Sequence, residues 1–154
     1  MMKNIFIFAF LVFLTNCGFK IADSSVLPFN IKTIETEGYN KINFLIKNNL
    51  LSKKRNLNQN KSITIKIETN REKEISEKNI RNEVTKYRLI INSNIKVNFA
   101  DGTKTEFRIS KKQSYRVGTT SLETSRNQDN LERILSNEIT SEIKKKLFFL
   151  RDDS

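Results

Sequence analysis

Between Arg88 and Phe99 the chain alternates without a break. Leu89, Ile91, Ser93, Ile95, Val97 and Phe99 share one parity, and Arg88, Ile90, Asn92, Asn94, Lys96 and Asn98 share the other. Successive side chains of a strand point to opposite faces. The stretch therefore predicts a strand with one face on a core and the other in polar surroundings. A strand buried on both faces would show a continuous apolar run instead. Whatever covers this sheet has to lie on one side of it.

The neighbouring segments extend that sheet. Asp101-Gly102 predicts a two-residue hairpin turn, whose two central positions favour positive φ. Residues 103–117 return as a partner strand with Thr105, Phe107 and Ile109 inward. Lys111 and Gln113 then take that face out of the core, and Tyr115 and Val117 dock back. Upstream, residues 62–68 alternate with Ile63, Ile65 and Ile67 on one side. Residues 69–82 are strongly charged and hold only Ile75 and Ile80 as large apolar groups, so they form either the exposed end of a long hairpin or a mobile loop. Leu27-Pro28 opens a first strand, where proline is tolerated, and Glu37-Gly38 breaks it.

Two stretches change period. Over residues 40–51, Ile42, Leu45, Ile46, Asn49 and Leu50 fall near one helical stripe, with Asn40 as the expected cap. A longer helix is expected to open at Ser125-Arg126-Asn127-Gln128, which has the form of a capping box. Leu131, Ile134, Leu135, Ile139, Ile143 and Leu147 then recur three or four residues apart, and Lys144, Lys145 and Lys146 fall in the last turns, favourable for the helix dipole. The order β-α-β-β-β-α describes an α+β fold, a four-stranded mixed sheet with two helices packed on one face. Its first strand–helix–strand unit should be a crossover that sets two strands parallel.

The opening of the chain reads differently. Lys3 precedes an unbroken apolar run over residues 5–14, the pattern of a secretory signal. The run is about half the roughly 20 residues needed to span a bilayer. It ends at Leu14-Thr15-Asn16-Cys17, which resembles a bacterial lipobox and holds the chain's one cysteine. Asn16 departs from the small residue usual there. A thiol is a strong nucleophile, suited to accept a lipid, so Cys17 is the expected lipidation site. A buried free cysteine in an exported domain is the alternative. On this reading residues 1–16 are the signal, 17–25 a lipid-anchored tether, and 26–154 one domain.

Net charge is +11, favouring anionic partners such as acidic lipid or glycan, while an export signal argues against nucleic acid. AT-rich codons would also raise Lys together with Asn and Ile, so charge alone assigns no ligand. The chain holds no His, and Cys17 is taken up by lipid, so His/Cys metal sites and thiol catalysis are not expected. Glu35/Glu37 and Asp152/Asp153 read as turn and tail residues rather than a catalytic pair. No enzyme activity and no cofactor are expected.

The lipobox running into Cys17-Gly18-Phe19, the Leu27-Pro28 opening and the element order together resemble the LPS-assembly lipoproteins, the LptE family. The resemblance spans essentially the whole chain. It implies a lipid-anchored protein at the periplasmic face of the outer membrane, which plugs an LptD-type β-barrel and assists delivery of lipopolysaccharide to the cell surface. It further implies lipopolysaccharide contacts from basic residues near the turn between the second and third strands, here Lys78 and Arg81, and just before the last helix, here Arg126. An auxiliary or substrate-binding lipoprotein of an ABC-type envelope transporter is the nearest confusable class.

Overall fold

The computed structural model describes residues 29–52 and 62–150. The expected signal, Cys17, the tether and Leu27-Pro28 lie outside the described residues. Six elements follow one another: β1 (Asn30–Gly38), α1 (Asn40–Leu51), β2 (Ser62–Lys78), β3 (Val84–Phe99), β4 (Lys104–Arg116) and α2 (Ser121–Leu150). The sheet runs β1-β2-β3-β4, with β1 parallel to β2 and the other pairs antiparallel. This is the expected four-stranded mixed sheet with two helices, in the expected order.

The alternation of β3 decides where everything else goes. Leu89, Ile91, Ser93, Ile95 and Val97 are all fully buried. Ile63, Ile65 and Ile67 of β2 lie beside them, Ile65 opposite Val97 and Ile67 opposite Ile95. Thr69 Oγ1 and Ser93 Oγ sit 3.2 Å apart, so the two hydroxyls in this dry row satisfy each other. On β4, Ile109 and Tyr115 are buried while Gln113 between them is exposed. Both helices close the same face: Ile42, Ile46 and Leu50 of α1 and Leu131, Leu135, Ile139, Ile143 and Leu147 of α2 join one core. Ile134, expected in that stripe, is 46% exposed. The buried line of α2 runs strictly in steps of four, and Ile134 falls about 100° to its side.

Several local expectations change. The charged stretch 69–82 is the far end of the β2–β3 hairpin, not a loop, and β2 stays paired as far as Lys78↔Val84. The turn closes on Asn79, whose Oδ1 accepts from the backbone N–H of Arg81 and of Glu83, each at 3.0 Å. The β3–β4 turn is not the two-residue form with two positive φ values: Gly102 has φ +90, and Asp101 has no positive φ. Gly102 N donates to Phe99 O and Phe99 N to Thr103 O, the three-residue form in which a tight turn ends on a left-handed glycine. Asn40 does not cap α1. Tyr39 stands at the cap position without a side-chain hydrogen bond. The turn into the helix depends on Gly38, at φ +88, where a Cβ would lie 2.1 Å from the Thr69 carbonyl oxygen.

The last turn of α2 carries no basic residue. The helix runs on to Leu150, so Lys144 serves the other helix instead: its Nζ donates to the Asn49 carbonyl oxygen, 2.9 Å away, near the C-terminus of α1. A second polar link is deeper. Glu132 of α2 is fully buried, with its Oε1 2.9 Å from Arg71 Nε on β2 and its Oε2 2.9 Å from Lys41 Nζ on α1. Gln128 Nε2 donates to the same Oε1 at 3.1 Å. Lys41 also reaches Asp129 at 2.5 Å. Partial burial works against the Lys41 charge, but Asp129 and Glu132 outweigh it and hold its ammonium above the ordinary lysine value.

Removing one partner of a buried ion pair leaves the others uncompensated. Glu132→Leu is expected to destabilise the fold by about 3 kcal/mol, the low end of the range for buried pairs because Lys41 still reaches water. Glu132→Gln, which keeps an acceptor in place, is expected to cost less. Urea unfolding midpoints of the three proteins check this, and a Leu variant as stable as the wild type would contradict it.

Candidate functional site

The face of the sheet opposite the helices has no covering element among the described residues. Lys86, Arg88, Asn92, Asn94, Lys96 and Asn98 of β3 lie on it, as their parity requires. It is not flat. Glu68, Asn70, Asn92, Asn94 and Arg108 line a shallow depression of about 280 Å³ across β2, β3 and β4. At the hairpin end, Asn79, Thr85, Lys86, Arg116 and Gly118 line part of a second depression of about 430 Å³. Lys86 contacts Glu77 there at 2.5 Å, and Thr85 Oγ1 donates to the same carboxylate at 3.0 Å. Those two contacts, that from Lys86 foremost, hold the Glu77 carboxyl below its usual range.

The basic residues implied by resemblance fall on two elements. Lys78 ends β2 and donates to Asn82 Oδ1 at 2.9 Å, while Arg81 lies exposed in the turn that follows. Arg126 lies exposed on α2. The strand directions put all three at one end of the sheet: β2 rises to the turn, and β4, on the far side of β3, runs in the same direction to deliver the start of α2. Asn127 Nδ2 donates to the Arg116 carbonyl oxygen at 3.1 Å, which fastens the beginning of α2 to that end. Cys17 lies outside the described residues.

Arg126 does not precede the last helix. It sits inside it, because α2 starts at Ser121 rather than at the expected box of residues 125–128. The sequence holds an earlier box of the same kind. Thr120 Oγ1 accepts from Glu123 N at 3.1 Å, and Glu123 Oε2 accepts from Thr119 N at 2.7 Å. These bonds satisfy N–H groups that a helix start leaves open. The basic residues of β4 were the other omission. Lys104, Arg108, Lys112 and Arg116 share the bare face, and alternation from Lys104 onward is the signal that places them.

No family model and no curated protein matches the chain. Solved structures do match its fold. The rare lipoprotein B of Shewanella oneidensis is 16% identical, with a TM-score of 0.60 over 79% of this chain and 97% of that one. A minor lipoprotein of Acinetobacter baumannii is 15% identical, with a TM-score of 0.56 over 82% of this chain and 95% of that one. A putative lipoprotein of Caulobacter crescentus is 13% identical, with a TM-score of 0.53 over 85% and 93%. The chain has the fold of these proteins.

The Glu123 carboxyl is held below its usual value of 4.5, first by the Thr119 hydroxyl and then by backbone N–H groups. A depressed carboxylate contributes stability that is present above 4.5 and lost as pH falls through the lowered value. Thermal melts should therefore separate wild type from Glu123→Ala near neutral pH, and the gap should close in strong acid. A gap that persists undiminished in strong acid would contradict this account of the helix start.

Proposed function

We propose that this protein is a lipid-anchored lipoprotein of the outer membrane that seats inside an LptD-type β-barrel and assists lipopolysaccharide assembly at the cell surface. The observation that carries the reading is the one-sided sheet. Both helices close one face, and the other is left bare by the described residues and charged across four strands. A charged face of this size cannot enter hydrocarbon, but the interior of a large barrel is polar and water-filled. The proteins that share the fold are named lipoproteins, and the run ending at Cys17 supplies this chain with an expected acyl anchor at the periplasmic face.

Lys78, Arg81 and Arg126 then stand at one end of the plug, where lipid A phosphates can be met by side chains that hold them through charge-assisted hydrogen bonds. The protein acts here by binding and positioning, without catalysis.

Tagged protein purified from detergent-solubilised envelopes is expected to bring down an outer-membrane β-barrel. Recovery of an inner-membrane permease in its place would favour the transporter-accessory reading and overturn this one. Arg81→Glu combined with Arg126→Glu is expected to weaken lipopolysaccharide binding roughly tenfold at low ionic strength, where contacts to phosphate are least screened. Unchanged binding under those conditions would remove both residues from the site.

A further inference from the structure

The bare face is divided by charge along the seam between β2 and β3. On β1 and β2 its outward positions hold Glu35, Glu37, Glu68, Glu72, Glu74 and Glu77, with Lys66 as the exception and Lys32 set apart in the bulge of β1. On β3 they hold Lys86, Arg88 and Lys96, and on β4 Lys104, Arg108, Lys112 and Arg116, with Glu106 as the exception. Both exceptions are neutralised within their own half. Lys66 pairs with Glu37 at 2.7 Å. Glu106 lies 3.7 Å from Lys96 and accepts from Asn94 Nδ2 at 2.7 Å. Between the two halves, opposite charges meet at the seam, where Glu77 contacts Lys86 and Glu74 approaches Arg88 to 4.0 Å. Among the described residues, no opposite charge lies within 4 Å of Glu35, Glu68 or Glu72 on one side, or of the four β4 cations on the other.

Neighbouring strands stand about 4.8 Å apart, so the centres of the two halves are about 10 Å apart. That is close to the screening length at physiological salt. A uniformly anionic surface laid across this face would be attracted by one half and repelled by the other at nearly the same range. A wall that is itself divided gains on both sides. Resting on the barrel reading above, we infer that the sheet face docks on a lumenal wall of the barrel that is acidic opposite β3–β4 and basic opposite β1–β2. The uncharged Asn70, Asn92 and Asn94 between Glu68 and Arg108 mark the boundary over which that wall changes sign. The match fixes how the sheet is turned on that wall, because a half turn in the plane of the sheet would set like charge against like charge.

The test uses the full-length protein in its native envelope. A photo-crosslinking residue replaces Ser110 on β4 in one variant and Asn70 on β2 in another, both exposed and outward. Adducts are mapped by mass spectrometry. Ser110 adducts are expected on barrel positions flanked by Asp and Glu, and Asn70 adducts on positions flanked by Lys and Arg. In parallel, Arg108→Glu with Lys112→Glu is expected to recover at least about fivefold less barrel than wild type, with the deficit shrinking as salt rises. Circular dichroism of that variant confirms that the fold is retained. If wild type recovers no barrel, the plug reading fails and the inference fails with it. If the barrel is recovered but the two positions crosslink to walls of the same sign, or to lipopolysaccharide, the inference fails and the plug reading stands. Undiminished recovery of the barrel by the charge-reversed variant at low salt likewise overturns the inference alone.

Discussion

The dryness of one row of side chains on β3 governs the molecule. Leu89, Ile91, Ser93, Ile95 and Val97 lie in sequence at every second position and expose no surface. Each large apolar member contributes about 1.5–3 kcal/mol by leaving water. A row of this length has to be covered end to end, and one helix is too narrow to cover a four-stranded sheet. Both helices are therefore drawn to the same side, and α2 extends for 30 residues to do so. The bare face is the unavoidable remainder of that arrangement. Its polar residues are what the alternation puts there, and no third layer answers them among the described residues.

Two buried or nearly buried polar groups settle how the helices sit. Glu132 reaches from α2 to β2 and α1 through Arg71 and Lys41. Lys144 reaches from α2 to the far end of α1 through the Asn49 carbonyl. The first lies near the start of α1 and the second near its end, so the two helices are tied at both ends of their contact. Apolar packing alone is tolerant of sliding, whereas a buried carboxylate stays within reach of two cations in one position only.

Most of the architecture was legible because two periods are unusually clean in this chain. The run of twelve residues through β3 and the Ile63-Ile65-Ile67 triplet in β2 leave no second interpretation, and the steps of four from Leu131 to Leu147 leave none for α2. What escaped lies where local signals compete or where partners are remote. Residues 120–123 and 125–128 both spell a capping box, and hydrogen bonding chose the earlier one. Asn40 has the right chemistry for a cap, but the turn forced by Gly38 puts Tyr39 there. The hairpin end was ambiguous because bulges near Ile75 and Glu77 interrupt a stretch with few apolar residues. Glu132 reads as an ordinary surface acid, since Lys41 and Arg71 come from distant parts of the chain. Lys78 closes β2 and Arg81 lies in the turn after it, whereas Arg126, expected ahead of the last helix, falls within it.

The cations of β4 have one more effect, on how copies of the chain meet one another. β4 ends the sheet, so its outer N–H and C=O groups are an open template for another strand. Lys104, Arg108, Lys112 and Arg116 recur every fourth residue along that rim. Two copies brought rim to rim would oppose these charges at close quarters, which discourages zippering into fibres. The edge that would most readily recruit a second copy is thereby the one that repels it.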